Sequence, residues 1–294
     1  MRKKVIFLDI DGTLTEPGCN EPPASAIEAI QKARANGHYV FLCSGRSYAM
    51  LKQLLKYGFD GVIASAGGDI RIGERVIYDC PMEMELAKEA LAVLRKNGVY
   101  CTIECTSGSY KDMGFDTFLE EHAGEGANSE MLRWHRQMER ELSIHPMSEY
   151  NGTDPIYKIV ILSMRKEQLE EPVRVLGDRV KFCVQGEDSY GYINGELHGP
   201  QFDKGSGVRA VCEAFSLSTK DSIAFGDSMN DVEMIEASGL GICMENGYEE
   251  LKKLADDVCP SVEDDGIYRA FEKYGLISDG RIRKEACKMG ILRK

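Results

Sequence analysis

Residues 5–15 read VIFLDIDGTLT: four apolar residues, then Asp9 and Asp11 on either side of Ile10, then Gly12. The β-branched and aromatic run from Val5 to Leu8 predicts a short strand buried on both faces, and it stops abruptly at an acid. Open parallel sheets place their sites at the carboxyl ends of strands, so both carboxylates are expected in that crevice. Ile10 turns away by strand alternation, and Gly12 lets the chain bend sharply.

Three other runs end in the same way: VFLC before Ser44, VIAS before Ala66 and SIAF before Gly226. Between the first two lies a helical stretch, residues 25–36, whose Ile27, Ile30 and Ala33 or Arg34 spacing gives an amphipathic face ending at Gly37. A second helix is expected over 48–57, closing at Gly58. Strand, helix, strand alternation predicts an α/β fold, a Rossmann-like parallel sheet with helical crossovers.

The pattern then changes. IRIGERVIY around Gly73 and Glu74 reads as a hairpin, and Pro81 precedes a helix over 84–96. Strand-like runs VYCTIECT, IYKIVILS and VKFCV follow, mixed with helix-like stretches at 129–141 and 166–176, which together make an α+β insertion. After the turn-rich ELHGPQFDKGSG, a helix over 204–215 leads into SIAF and restores the earlier alternation. The expected organisation is a discontinuous core, residues 1–81 and 194–294, interrupted by a second unit at 82–193.

Composition narrows the partners. A net charge of −12 and a pI near 5.1 disfavour nucleic acid and anionic membrane surfaces, which an acidic body repels. A small anionic substrate needs only local positive charge and stays open. Ten cysteines are scattered without a C-x-x-C pair, so neither a zinc site nor a disulfide framework is indicated, and Cys101 and Cys105 read as buried small hydrophobes on one strand face. MRKK followed by a short apolar stretch is unlike a signal peptide or membrane span, which makes a reducing cytoplasm the expected setting. The basic stretch after Asp279 reads as a solvated helix.

The strand ends carry the chemistry. Two adjacent carboxylates repel, and a hard divalent cation such as Mg2+ keeps both useful near neutral pH. A third carboxylate, Asp227, follows SIAF in GDSMND, with Asp231 one helical turn beyond. CSGRS offers the Ser44 hydroxyl and the Gly45 N–H at a helix start, and Lys204 opens the helix after the insertion; these groups suit phosphoryl oxygens. Arg46 reads as an ion-pair residue.

In this order, DIDGTLT at Asp9, SGR at Ser44, DKGSGV at Lys204 and GDSMND at Asp227 resemble the four motifs of the haloacid dehalogenase superfamily. The long gap before the third motif resembles its Cof-type, class IIB sugar-phosphatase-like branch, which carries a C2-type α/β cap there. The resemblance spans nearly the whole chain. It implies a Mg2+-dependent phosphatase in which Asp9 attacks phosphorus and becomes an aspartyl phosphate, while Asp11 protonates the leaving oxygen and then activates water. It also implies that Ser44, Gly45, Lys204 and Asn230 hold the phosphoryl group. Asp9, the Asp11 backbone carbonyl and Asp227 would hold the metal, with Asp231 supporting them from behind.

The implied substrate is a small phosphorylated metabolite: a sugar phosphate, a phosphorylated cofactor or a nucleotide. The same aspartyl phosphate could instead pass to a sugar hydroxyl, a phosphomutase or phosphotransferase reading, and a non-catalytic sensor of a phosphorylated ligand is a third. Specificity is expected in the cap, where Tyr110, Trp134 and Tyr150 are ring-stacking candidates that read more readily as ordinary core or rim residues. One departure stands out. The family commonly has Asn-Gly-Ala after its third strand, where this chain has Ala66-Gly67-Gly68, so the asparagine amide is absent.

Overall fold

A computed structural model describes residues 2–17, 19, 21–114, 117, 144–187 and 192–277. The expected helix at 129–141, Trp134 and the stretch after Asp279 lie outside the described residues.

The chain begins with β1 (Val5–Leu8), α1 (Ala24–Ala35), β2 (Tyr39–Cys43), α2 (Tyr48–Leu51) and β3 (Gly61–Ala64). A hairpin of β4 (Asp69–Ile72) and β5 (Arg75–Asp79) follows, turning at Gly73 as expected. Next come α3 (Met84–Lys96), β6 (Tyr100–Cys105), β7 (Ser109–Lys111), β8 (Ile144–Pro146), β9 (Ile156–Ser163), α4 (Glu170–Leu176), β10 (Lys181–Glu187) and β11 (Ile193–His198). Then α5 (Lys204–Ala214), β12 (Ser222–Gly226), α6 (Val232–Ala237), β13 (Gly241–Met244), α7 (Glu249–Leu254), β14 (Asp257–Cys259) and α8 (Gly266–Lys273) complete the described chain.

Two sheets result. The first is eight-stranded in the order β14-β13-β12-β1-β2-β3-β4-β5, parallel from β14 to β3 and antiparallel at the hairpin edge. Its central strand explains its own sequence: Ile6 and Leu8 enter one hydrophobic cluster with α1 and α8, while Val5 and Phe7 enter another with α5, α6 and α7. A strand buried on both faces has no position for a polar side chain, so polar function is displaced to its ends. The second sheet, in the order β10-β11-β9-β6-β7-β8, is antiparallel except between β7 and β8. One of its faces packs Cys101, Ile103, Ile159, Ile161 and Leu197 against α3 and α4.

Two expectations change. A boundary at 193/194 would cut into β11, whose pairing with β9 and β10 keeps it in the six-stranded sheet through His198, so the return to the first sheet comes after that residue. The helix expected over 48–57 is α-helical only to Leu51 and continues as a 3₁₀ helix, Lys52–Tyr57, before Gly58 at φ 104°. Cys101 and Cys105 lie buried on one face of β6, and the described cysteines are all free thiols. No helix among the described residues is long and apolar enough to cross a membrane.

Candidate active site

The Asp9 N–H donates to the Phe225 carbonyl at 3.0 Å, continuing the β1–β12 pairing one residue past the strand and setting Asp9 beside the end of SIAF. Beyond it the chain folds over one acceptor: the N–H groups of Thr13, Leu14 and Thr15 all point to the Ile10 carbonyl, at 3.2, 2.9 and 2.9 Å. Gly12 is required twice over. Its φ is 90°, and a Cβ there would lie 2.4 Å from Asp227 Oδ2. Asn246, just after β13, donates to the Gly12 carbonyl at 2.7 Å and pins the turn from the neighbouring strand end.

Lys204 is the centre of charge. Its buried Nζ donates to Asp9 Oδ1 at 2.8 Å, Asp231 Oδ1 at 2.6 Å and Asn230 Oδ1 at 3.1 Å. The helix behind it is anchored by a capping box, in which the Asp203 carboxylate accepts the Ser206 N–H and the Ser206 hydroxyl accepts the Asp203 N–H. Asp231 is fully buried, and its second oxygen accepts the N–H groups of Asp227 and Ser228 at 3.0 and 3.1 Å. It therefore shapes the loop that carries Asp227, whose own carboxylate accepts the Thr13 hydroxyl at 3.1 Å.

The electrostatics follow from one ammonium among several buried acids. Burial and the Asp231 charge push the Asp9 pKa from 3.8 up to about 7, against the opposing pull of Lys204. Asp227 is raised well above its ordinary value by burial, Asp231 and Asp9. Burial pushes Lys204 down, yet Asp231 and Asp9 outweigh it and hold the ammonium well above its usual range. Ligand oxygens of Asp9, Asp227 and Asp231 lie within 4.8 Å of one another. Both Asp231 oxygens already accept hydrogen bonds, so Asp9 and Asp227 are the hard oxygen donors of this group that fit Mg2+.

Asp11 goes elsewhere. Its carboxylate accepts a two-pronged guanidinium fork from Arg46, at 3.0 Å from Nε and 2.7 Å from Nη2, with Arg46 only 1% exposed. Arg46 thus makes the ion pair expected of it, with the second motif aspartate as partner, and the Asp11 side chain stands apart from the three-carboxylate group. Ser44 is buried and its hydroxyl accepts the Arg46 N–H at 3.3 Å. Gly45 is not at a helix start, since α2 begins only at Tyr48. The loop is held instead by Ser65 and Ala66, whose N–H groups donate to the Arg46 and Ser44 carbonyls. Ala66 itself has φ 57°, in the left-handed region that asparagine tolerates and alanine disfavours.

A cavity of about 280 Å³ adjoins this site, lined by Lys204 and Asn230 from the first sheet's side and by Glu196, His198, Lys181 and Cys183 from the second. Tyr110 and Tyr150 lie elsewhere, with rings 5.3 Å apart against the insertion's own core.

A sequence profile described as haloacid dehalogenase-like hydrolase matches residues 6–271. The chain belongs to that family of hydrolases. Among curated relatives, a 5-amino-6-(5-phospho-D-ribitylamino)uracil phosphatase of Bacillus subtilis, YwtE, is 29% identical over 90% of this chain and 95% of its own. A phosphoglycolate phosphatase of Methanosarcina acetivorans is also 29% identical, over 92% of this chain and 96% of its own. The solved structure of a subclass IIB sugar phosphatase of the superfamily shares the fold at a TM-score of 0.76 and 23% identity, covering 93% of this chain and 100% of that one.

Thr13, Asn246 and the Asp11–Arg46 pairing are absent from the sequence reading. The signal for Asn246 was available, because GICM at 241–244 ends in Glu245-Asn246 much as the other strands end in polar residues. Nothing local announces which acid Arg46 would meet.

Proposed function

We propose that the protein is a Mg2+-dependent phosphatase acting on small phosphate monoesters, with Asp9 as the nucleophile. The observation that carries this reading is the buried ammonium of Lys204 bridging Asp9, Asp231 and Asn230 at the strand ends, beside Asp227. Such a site neutralises and orients a phosphoryl group, which is most of what phosphoryl transfer requires. The two curated relatives named above release phosphate from small molecules, which supports the substrate class, and their different substrates leave the leaving group open.

Asp9, Asp227 and the Asp11 backbone carbonyl would hold Mg2+, which when bound supplies positive charge against the phosphoryl oxygens. The Lys204 ammonium holds one Asp9 oxygen in place and offers charge to the incoming phosphate, while Asn230 beside it and, from the loop after β2, Ser44 and Gly45 would hold the phosphoryl oxygens. Asp9 attacks phosphorus and the ester P–O bond breaks. Asp11, turned from the Arg46 fork and protonated, would give that proton to the departing oxygen and later take one from the water that cleaves the aspartyl phosphate. Arg46 holds the Asp11 carboxylate in an ion pair, so the acid role requires that fork to open. The six-stranded unit, as a cap, closes over the leaving group.

Phosphate release from p-nitrophenyl phosphate tests the reading. Wild type is expected to turn over only with Mg2+, and Asp9→Asn to lose roughly a thousand-fold or more. Full activity in Asp9→Asn would remove Asp9 from the chemistry.

A further inference from the structure

The six-stranded sheet has an anomalous face. Cross-strand register places Lys158 of β9 opposite Glu104 of β6 on one side and His198 of β11 on the other, with Glu196 one alternation along β11. Side chains at paired positions share a face, so these four point away from the apolar core of the insertion. All four are buried. Burying charge mid-strand is costly unless it is paired and used.

The pairing is visible. Lys158 Nζ lies 2.7 Å from Glu196 Oε2 and 3.5 Å from Glu104 Oε2. Burial pushes the Glu196 carboxyl up, but Lys158, His198 and Lys204 outweigh it and hold its pKa below the ordinary value. The same ammonium crosses to the first sheet and donates to the Gly45 carbonyl at 2.7 Å, a contact 113 residues away in sequence.

That carbonyl belongs to the peptide joining Gly45 to Arg46. Its N–H end, on Arg46, donates to the Ser44 hydroxyl, and its C=O end accepts Lys158, so the peptide plane is gripped at both ends. Ser44 precedes this plane and the guanidinium that forks onto Asp11 follows it. A Cβ on Gly45 would stand 3.0 Å from Lys158 Nζ, so a side chain there would crowd the ammonium by a few tenths of an ångström.

We infer that Lys158 is a positioning residue: it sets the Gly45–Arg46 peptide, and with it Ser44 and the Arg46–Asp11 pair, only when the inserted unit is docked on the first sheet. Glu196 and Glu104 balance the ammonium so that it can be buried there. The loop that meets the phosphate is then completed by the inserted unit, which makes docking a condition for a competent site whatever the leaving group.

The test uses the full chain with Lys158→Met, and with Lys158→Met/Glu196→Gln, in which the nearer of the two carboxylates left behind is neutralised as well, should the single variant fold poorly. Amide hydrogen exchange over residues 44–48 is expected to quicken at least ten-fold while β1 and β12 are unchanged. With Mg2+, kcat for p-nitrophenyl phosphate and for a sugar phosphate is expected to fall by one common factor, roughly ten- to a hundred-fold, with KM changed little, as for a misplaced catalytic group. Unchanged exchange over 44–48 overturns the inference. So does a loss confined to the substrate with the larger leaving group, which would make Lys158 a substrate contact. The kinetic arm rests on the phosphatase reading. A wild type without turnover defeats that reading and leaves the exchange arm to decide the role of Lys158.

Discussion

The two sheets handle buried charge in opposite ways. At the centre of the eight-stranded sheet every residue of β1 is apolar and fully buried, and its acid comes only past the strand end, at Asp9; the buried Asp69 sits out on the antiparallel hairpin strand β4, paired with Arg71. In the six-stranded sheet, Glu104, Lys158, Glu196 and His198 are buried within the strands, on one face. Helices cover both faces of the parallel sheet, so it can be polar only at its edge. Among the described residues the inserted sheet has helices on one face, and its other face carries charged residues that meet the first sheet's loops. A site at strand ends and a polar face brought to it are complementary solutions to one constraint: buried charge needs a partner.

The sharpest way to break this comparison is to remove the one cation on which the strand-end site depends. Lys204→Met leaves Asp9 and Asp231 buried without their ammonium. We expect kcat to fall roughly 100- to 1,000-fold, and the metal-free protein to lose about 3–5 kcal/mol in urea unfolding. A loss of stability below about 1 kcal/mol would show that the acids are balanced by something other than Lys204.

The two regions should also respond to pH with opposite sign. Without metal, folded protein holds a proton on Asp9 between pH 3.8 and about 7 that the unfolded chain has released, so this site loses stability as pH rises through that window. The effect is on the order of a few kcal/mol. His198 is depressed below 6.5, chiefly by burial, so its contribution is lost as pH falls below 6.5. Thermal melts of metal-free wild type and Asp9→Asn from pH 5 to 8 should differ in slope, with the variant losing the decline toward pH 7. Added Mg2+ should raise the melting temperature more at pH 8 than at pH 5.5, because metal competes with the Asp9 proton. Equal Mg2+ shifts at the two values would place the metal away from Asp9.

The smallest expected effect is at Ala66, where the chain departs from the commoner asparagine. Ala66→Asn should stabilise by about 1 kcal/mol, by relieving a left-handed alanine beside an open cavity. Urea unfolding measures it; a destabilised variant would mean that the cavity wall, not the backbone, dominates at this position.

Asp9, Lys204 and Asp227 were legible in the sequence because each follows or opens a strongly patterned element, and the periodicity that predicts the element also predicts its end. Asn230 and Asp231 came with Asp227, since a three-residue 3₁₀ turn keeps them adjacent. Gly45 does not open a helix but lies three residues before α2, because propensity does not register that the Ser44 and Arg46 carbonyls are taken by Ala66 and Ser65. Likewise β11 was divided, since its membership depends on pairing with β9 and not on its own residues.

By itself, then, the sequence determined the α/β core, the interruption in it and the acids and lysine at the strand ends, since these follow from local periodicity and chain order. The tertiary structure alone decided which charges meet. Arg46 takes Asp11, Lys204 joins Asp9 to Asp231, and Lys158 crosses from one sheet to the Gly45 carbonyl in another. Those choices depend on strand register and on the docking of two sheets, and ion pairs between residues far apart in sequence leave no periodic trace in it.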